Sequence, residues 1–240
     1  MTNPRSLPIG MLLNRHTSLI DAYLRIPQPL AKLLYRSVRA TIAKDPRQSQ
    51  FDAVFKHVIC ESIPGDYLEF GVFRGSSMAL AYKCATRGHL EKMRFFGFDS
   101  FEGLPDSEGG VFEKGTMVCS QKQFLKLIAQ YGIDTTRVTT VKGWYKESLT
   151  AQLRQTHALT QAAVVNIDCD LYESTKIVLD FIADLLKPGS ILIFDDWYHF
   201  AHKVNPAQYG EQRAFEEWHI SKYFRVFKDV VGRSKSFIRI

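Results

Sequence analysis

The chain is short of the residues that mark several common chemistries. Its four cysteines, Cys60, Cys84, Cys119 and Cys169, form no CxxC or CxH pair. Neither a zinc knuckle nor a redox dithiol is suggested, and buried or semi-buried free thiols in a cytoplasmic setting are expected. Long apolar runs are missing too. The longest, such as residues 190–194, fall far below the ~20 residues that a membrane-crossing helix needs. Near the N-terminus, Met11-Leu-Leu13 is cut short by Asn14, Arg15 and His16, so no secretory h-region is read. There is no GxGxxG fingerprint, no P-loop ending in Lys-Ser/Thr, no internal repeat and no RNA-binding signature. These absences predict a cytoplasmic protein with neither a membrane nor a nucleic-acid partner.

What is present is ordinary globular composition, 45% hydrophobic and 23% charged over 240 residues, enough for a sizeable core. The net charge of +6 is unevenly placed. Residues 1–50 hold eight Lys/Arg against two Asp, and the remainder is balanced. Residues 1–50 therefore read as a basic helical extension that packs on the domain or on a second subunit, which predicts a homo-oligomer. Residues 51–240 read as the functional domain.

Pro29 can open a helix over 30–42, and Phe51, Val54, Phe55, Val58 and Ile59 carry the spacing of a second. Strands and helices then alternate. Strands are expected at 67–72, 94–99, 138–142, 163–168 and 190–195, with helices at 76–86, 121–131, 147–155, 173–186 and 208–219. Two final strands, 224–227 and 236–240, lack a helix between them and should pair as a hairpin. This pattern predicts a three-layer α/β fold, its sheet mainly parallel with one antiparallel strand. In such sheets ligands lie beyond the carboxyl ends of the strands, and polar residues collect there: Glu69, Gly71, Asp99, Asp168, Asp195 and Asp196.

Glu69-Phe70-Gly71-Val-Phe-Arg74-Gly75-Ser76-Ser77 runs from a strand through a glycine turn into a helix N-terminus, where free N–H groups can face a ligand. Alone it is equally a tight turn without function. Asp99, ending the second strand, stands where a nucleoside ribose receives hydrogen bonds; an Asp capping its own loop is the competing explanation.

The acids Asp168, Asp170, Asp195 and Asp196 should converge from two neighbouring strands. At ~4 Å a like-charge pair costs about 4 kcal/mol at an effective dielectric near 20. A hard divalent cation with oxygen ligands, Mg²⁺ rather than zinc, relieves this. Protonation, or pairing with Lys176, Lys203 or Arg213, is the alternative.

Four motifs occurring in order, 66–76, 98–105, 167–175 and 194–196, resemble the macrocin O-methyltransferase family. Gly210-Glu211-Gln212-Arg213-Ala214 is similar to the helix that follows its metal strand. The resemblance covers about residues 60–240 and implies a Rossmann-like class I methyltransferase fold with a seven-stranded sheet. It implies S-adenosylmethionine and Mg²⁺ as cofactors and a small-molecule hydroxyl, on a sugar or polyol, as acceptor. By the resemblance, Glu69, Phe70, Gly71, Arg74, Gly75 and Ser76 hold the methionine part of the cofactor. Asp99 and Ser100 bind its ribose, Gly143 and Trp144 border its adenine, and Asp168, Asp195 and Asp196 hold the metal, with Asp168 also reaching the cofactor. For the proton-accepting base, Asp168 and His199 are candidates and Asp170 follows; a lone loop histidine can equally be a bystander. The loop 104–117 can close over a substrate or be an ordinary surface loop. A non-catalytic cofactor-binding or scaffold protein is the alternative function.

Overall fold

A computed structural model describes residues 45–240. The helix expected at 30–42 lies outside the described residues, as does nearly all of the basic leading segment. Helix α1 (Gln48–Cys60) buries Phe51, Val54, Phe55 and Val58 along one side, as their spacing requires. Ile63-Pro64-Gly65 then turns the chain into β1 (Asp66–Phe70), buried throughout.

The alternation continues with α2 (Ser76–Arg87), β2 (Phe95–Asp99), α3 (Gln121–Gln130) and β3 (Val138–Lys142). Next come α4 (Tyr145–Ser148), α5 (Ala151–Thr156), β4 (Ala162–Ile167), α6 (Tyr172–Ile182) and β5 (Leu186–Phe194). Helix α7 (Gly210–Glu217) and the hairpin β6 (Phe224–Val230) and β7 (Ser234–Arg239) complete the chain. Pro46–Ile240 folds as one compact unit. No helix among the described residues is long and apolar enough to cross a membrane.

The seven strands lie in the order β3-β2-β1-β4-β5-β7-β6. β7 runs antiparallel to both neighbours and the other pairs are parallel. Chain order reverses between β1 and β4, so the crevice beyond their carboxyl ends is where a ligand fits. One face of the sheet carries a large aromatic core. Phe70 and Phe98 stack at 4.5 Å, and Phe215 meets Phe237 at 4.3 Å.

Two expectations need correction. The helix expected at 147–155 is broken, because Thr150 takes an extended conformation and its Oγ1 accepts the Leu153 N–H, capping a new helix. Lys187-Pro188-Gly189 does not follow a helix that reaches 186. Helix α6 ends at Ile182, and the three residues lie inside β5, where the register with β4 shifts between Ala162 and Val164. Such an irregularity tolerates a proline that a regular central ladder would not.

Candidate active site

The ends of β1, β4 and β5 are drawn tightly together. Asp168 N–H donates to Phe70 O at 2.9 Å, and Asp195 N–H to Ile167 O at 3.0 Å. Gly71 has φ +83°, and a Cβ there would stand 1.8 Å from the Asp168 carbonyl. Only glycine lets these two strand ends meet.

Beyond them lie the acids. Asp168, Asp170 and Asp196 each bring a carboxylate oxygen within 4.8 Å of the others. Asp170 achieves this from a left-handed backbone, φ +66°, which an aspartate adopts more readily than most side chains. Burial, then the charges of Asp195 and Asp196, push the Asp168 carboxyl well above its ordinary range. Burial and Asp196 do the same to Asp170. Burial would also raise Asp196, but hydrogen bonds from His199 and Asp170 outweigh it and hold that carboxyl low. Glu211, fully buried at the start of α7, accepts the Asp196 N–H at 3.0 Å with Oε2, while its Oε1 has no partner among the described residues. Burial and the charges of Asp196, Asp168 and Asp195 hold its carboxyl well above the ordinary range. Hard oxygen donors alone, crowded and underneutralised, fit a hard divalent cation.

The trio differs by one residue from the set expected from the sequence. Asp195 faces Arg47, whose Nη1 stands 3.4 Å from it and 3.9 Å from Asp168. The same guanidinium donates to Ser76 Oγ at 2.8 Å. A cation thus compensates part of the cluster, but it is not one considered from the sequence. Lys176 and Arg213 lie over the Tyr172 ring, and Arg213 pairs with Glu217. Arg47 stands just ahead of α1 and outside every recognisable motif, so no sequence signal singled it out.

His199 Nδ1 lies 3.1 Å from Asp196 Oδ1 and its ring 4.5 Å from Phe112. Burial works against the imidazolium, but the hydrogen bond and charge of Asp196 prevail and raise the pKa. An acid of the cluster therefore orients the His199 ring.

The residues expected around a cofactor sit at or just beyond the ends of β1, β2 and β3, several with structural roles of their own. Glu69 is fully buried; its carboxylate accepts from Tyr67 Oη at 2.6 Å and Ser77 Oγ at 2.5 Å, and burial lifts its pKa to about 7. The Phe70 ring belongs to the core, leaving only its backbone toward the crevice. Gly75, at φ +77°, precedes the first turn of α2; a Cβ there would meet Ile128 at 2.5 Å. Arg74 lies over the Phe73 ring, 5.0 Å from its centroid. Asp99 accepts the N–H groups of Val72, Phe73 and Phe101 at 2.9, 3.2 and 2.6 Å. It therefore holds the glycine loop and its own turn in place, which is the capping role the sequence also offered. Burial raises its carboxyl in spite of those donors. Ser100 Oγ donates to Gly103 O at 3.0 Å and organises the following turn. Gly143 N–H donates to Asp99 O at 3.0 Å, which brings half-buried Trp144 to the rim.

The sheet order and the position of the crevice define a class I methyltransferase fold. Residues 36–217 match the family model described as Macrocin-O-methyltransferase (TylF), and the chain belongs to that family. It is 30% identical over 172 residues to the 8-demethyl-8-(2,3-dimethoxy-alpha-L-rhamnosyl)-tetracenomycin-C 4'-O-methyltransferase of Streptomyces olivaceus, covering 67% of this chain and 64% of that protein. It is 25% identical to the mycinamicin III 3''-O-methyltransferase of Micromonospora griseorubida, covering 68% and 67%. The chain thus spans somewhat under two thirds of the first relative's length. Among solved structures, the O-methyltransferase NovP superposes with TM-score 0.64 at 22% identity, over 80% of this chain and 79% of that one. The calicheamicin methyltransferase CalS11 superposes at 0.65 and 23%, over 89% and 94%. At these identities the superpositions speak for the fold alone.

Proposed function

We propose that this chain transfers the methyl group of S-adenosylmethionine to a hydroxyl oxygen of a sugar or similar polyol on a small molecule, using Mg²⁺. The observation that carries the reading is the trio Asp168, Asp170 and Asp196, gathered beyond β4 and β5 beside the strand-order reversal. Family membership and the O-methyltransferase names of its relatives support it.

The cofactor supplies an electrophilic methyl group on a positively charged sulfur, and the cation a Lewis acid that makes a hydroxyl more acidic. The chain's residues do the rest. The 71–76 loop, held by Asp99 through the Val72 and Phe73 N–H groups, leads the first turn of α2 to the methionine end, and Gly143 and Trp144 flank the adenine end. The three aspartates hold and orient the cation. When neutral, His199 donates Nδ1–H to Asp196 and keeps Nε2 as the proton acceptor. Phe112 and Phe200 wall this side against water. Orientation of this kind supplies several kcal/mol, up to about 7–11 in ideal cases.

The test is incubation with methyl-labelled S-adenosylmethionine and a panel of deoxysugar-bearing natural products. A labelled methyl ether should form, vanish with chelator and return with Mg²⁺. Turnover indifferent to chelator removes the cation; tight cofactor binding without any methyl ether marks a non-catalytic binder.

A further inference from the structure

The aspartate trio comes from two separate loops. Asp168 and Asp170 lie between β4 and α6, while Asp196 and His199 lie between β5 and α7. Each loop ends at the first residue of a helix, Tyr172 and Gly210 respectively. The amides of both residues donate to a single carboxylate: Tyr172 N–H to Glu108 Oε2 and Gly210 N–H to Glu108 Oε1, each at 2.7 Å. Short charge-assisted bonds at two helix N-termini favour an anion there, and Glu108 supplies it from within the chain.

Glu108 belongs to the 104–117 loop and is itself well held. Its N–H donates to Phe112 O at 3.1 Å, and Phe112 N–H returns to Glu108 O at 3.3 Å. The turn sets the Phe112 ring against His199 and, at 5.7 Å, Phe200. Gly109 and Gly210 lie against the Phe200 ring, where an added Cβ would come within 2.4 and 2.7 Å. Loop, α6 and α7 thus meet at one dry joint built around Leu104, Phe112, Leu171 and Phe200.

We propose that Glu108 is a positioning residue: it cross-links the two acid-bearing loops, sets the spacing of the aspartates, and keeps the 104–117 loop closed over them. The proposal rests on the cation reading above for its consequence but not for its geometry. A carboxylate serves both N–H groups; a carboxamide accepts from one and turns its own NH₂ toward the other.

The test combines amide hydrogen exchange with Mn²⁺ titration of the wild-type chain, Glu108→Gln and Glu108→Ala. In Glu108→Ala, exchange should rise together in peptides covering 104–117, 168–172 and 196–210, and Mn²⁺ affinity should fall about 10-fold or more, the usual scale for residues supporting metal ligands. Glu108→Gln should lie between, and it carries the test if the alanine variant does not fold. Faster exchange confined to 104–117, with Mn²⁺ affinity unchanged, overturns the proposal and leaves a simple loop tether. A wild-type chain that binds no Mn²⁺ contradicts the cation reading instead; the joint or separate response of the three peptides still decides the role of Glu108.

Discussion

Arg47 and Asp195 are 148 positions apart in sequence, yet Arg47 Nη1 reaches the Asp195 carboxylate at 3.4 Å, both side chains largely buried. The contact separates the acids into two groups. Asp195 is matched by a fixed protein cation, whereas Asp168, Asp170 and Asp196 crowd together. Asp168 touches both groups, since Arg47 also stands 3.9 Å from it.

Removing Arg47 should therefore take a charged partner from the largely buried Asp195 carboxylate. Arg47→Ala is expected to lose about 3 kcal/mol at pH 7, the low end of the range for breaking a buried pair. Added Mg²⁺ should recover more stability in the variant than in the wild-type chain. Thermal denaturation with and without Mg²⁺ checks this; equal Mg²⁺ shifts in the two proteins would separate Arg47 from the cation site.

Glu69 makes a statement about pH. Its carboxyl titrates near 7 in the fold, above its ordinary 4.5, because burial penalises the charge. The raised value means that its stabilising contribution is fully present below about pH 4.5 and is lost as pH rises through 7, to a total of about 3 kcal/mol. Glu69→Gln cannot ionise, so its stability relative to the wild-type chain should climb between pH 4.5 and 7.5. Urea denaturation across that interval checks it, and parallel curves would mean that the wild-type carboxyl titrates normally.

Asp99→Ala strips an acceptor from three backbone N–H groups around the glycine loop. With a buried unsatisfied donor costing about 1–3 kcal/mol, a loss of about 2–4 kcal/mol is expected after partial solvation. S-adenosylhomocysteine affinity by calorimetry should fall together with stability. An unaltered affinity in a destabilised variant would confine Asp99 to the loop and take it out of the cofactor site.

Alternation of apolar runs with helical spacing placed every strand, and β3 coincides with the 138–142 expected. Periodicity carries that information, because each element must bury one side. The break at Thr150 and the bulged entry of Lys187-Pro188-Gly189 into β5 depend on a single cap and on cross-strand register, which no local window contains. The site divides in the same way. Asp168 and Asp196 were legible because strand ends are legible. Asp170 was legible as one of the converging acids, but its place beside Asp168 and Asp196 depends on a left-handed backbone, and Arg47 and Glu108 reach the cluster or its flanking helices from distant segments; such contacts exist only in three dimensions.

The proposed function stands on Asp168, Asp170 and Asp196 holding a divalent cation for chemistry on a hydroxyl. Calorimetric titration of Mn²⁺ into the wild-type chain and into Asp170→Asn, Asp195→Asn and Asp196→Asn tests it most directly. One equivalent should bind the wild-type chain, with affinity falling at least about 100-fold in Asp170→Asn and Asp196→Asn and less in Asp195→Asn, as expected if removal of a ligand costs more than the 10–100-fold typical of its supports. No binding to the wild-type chain, or a loss at Asp195 that exceeds the loss at Asp170, would contradict it.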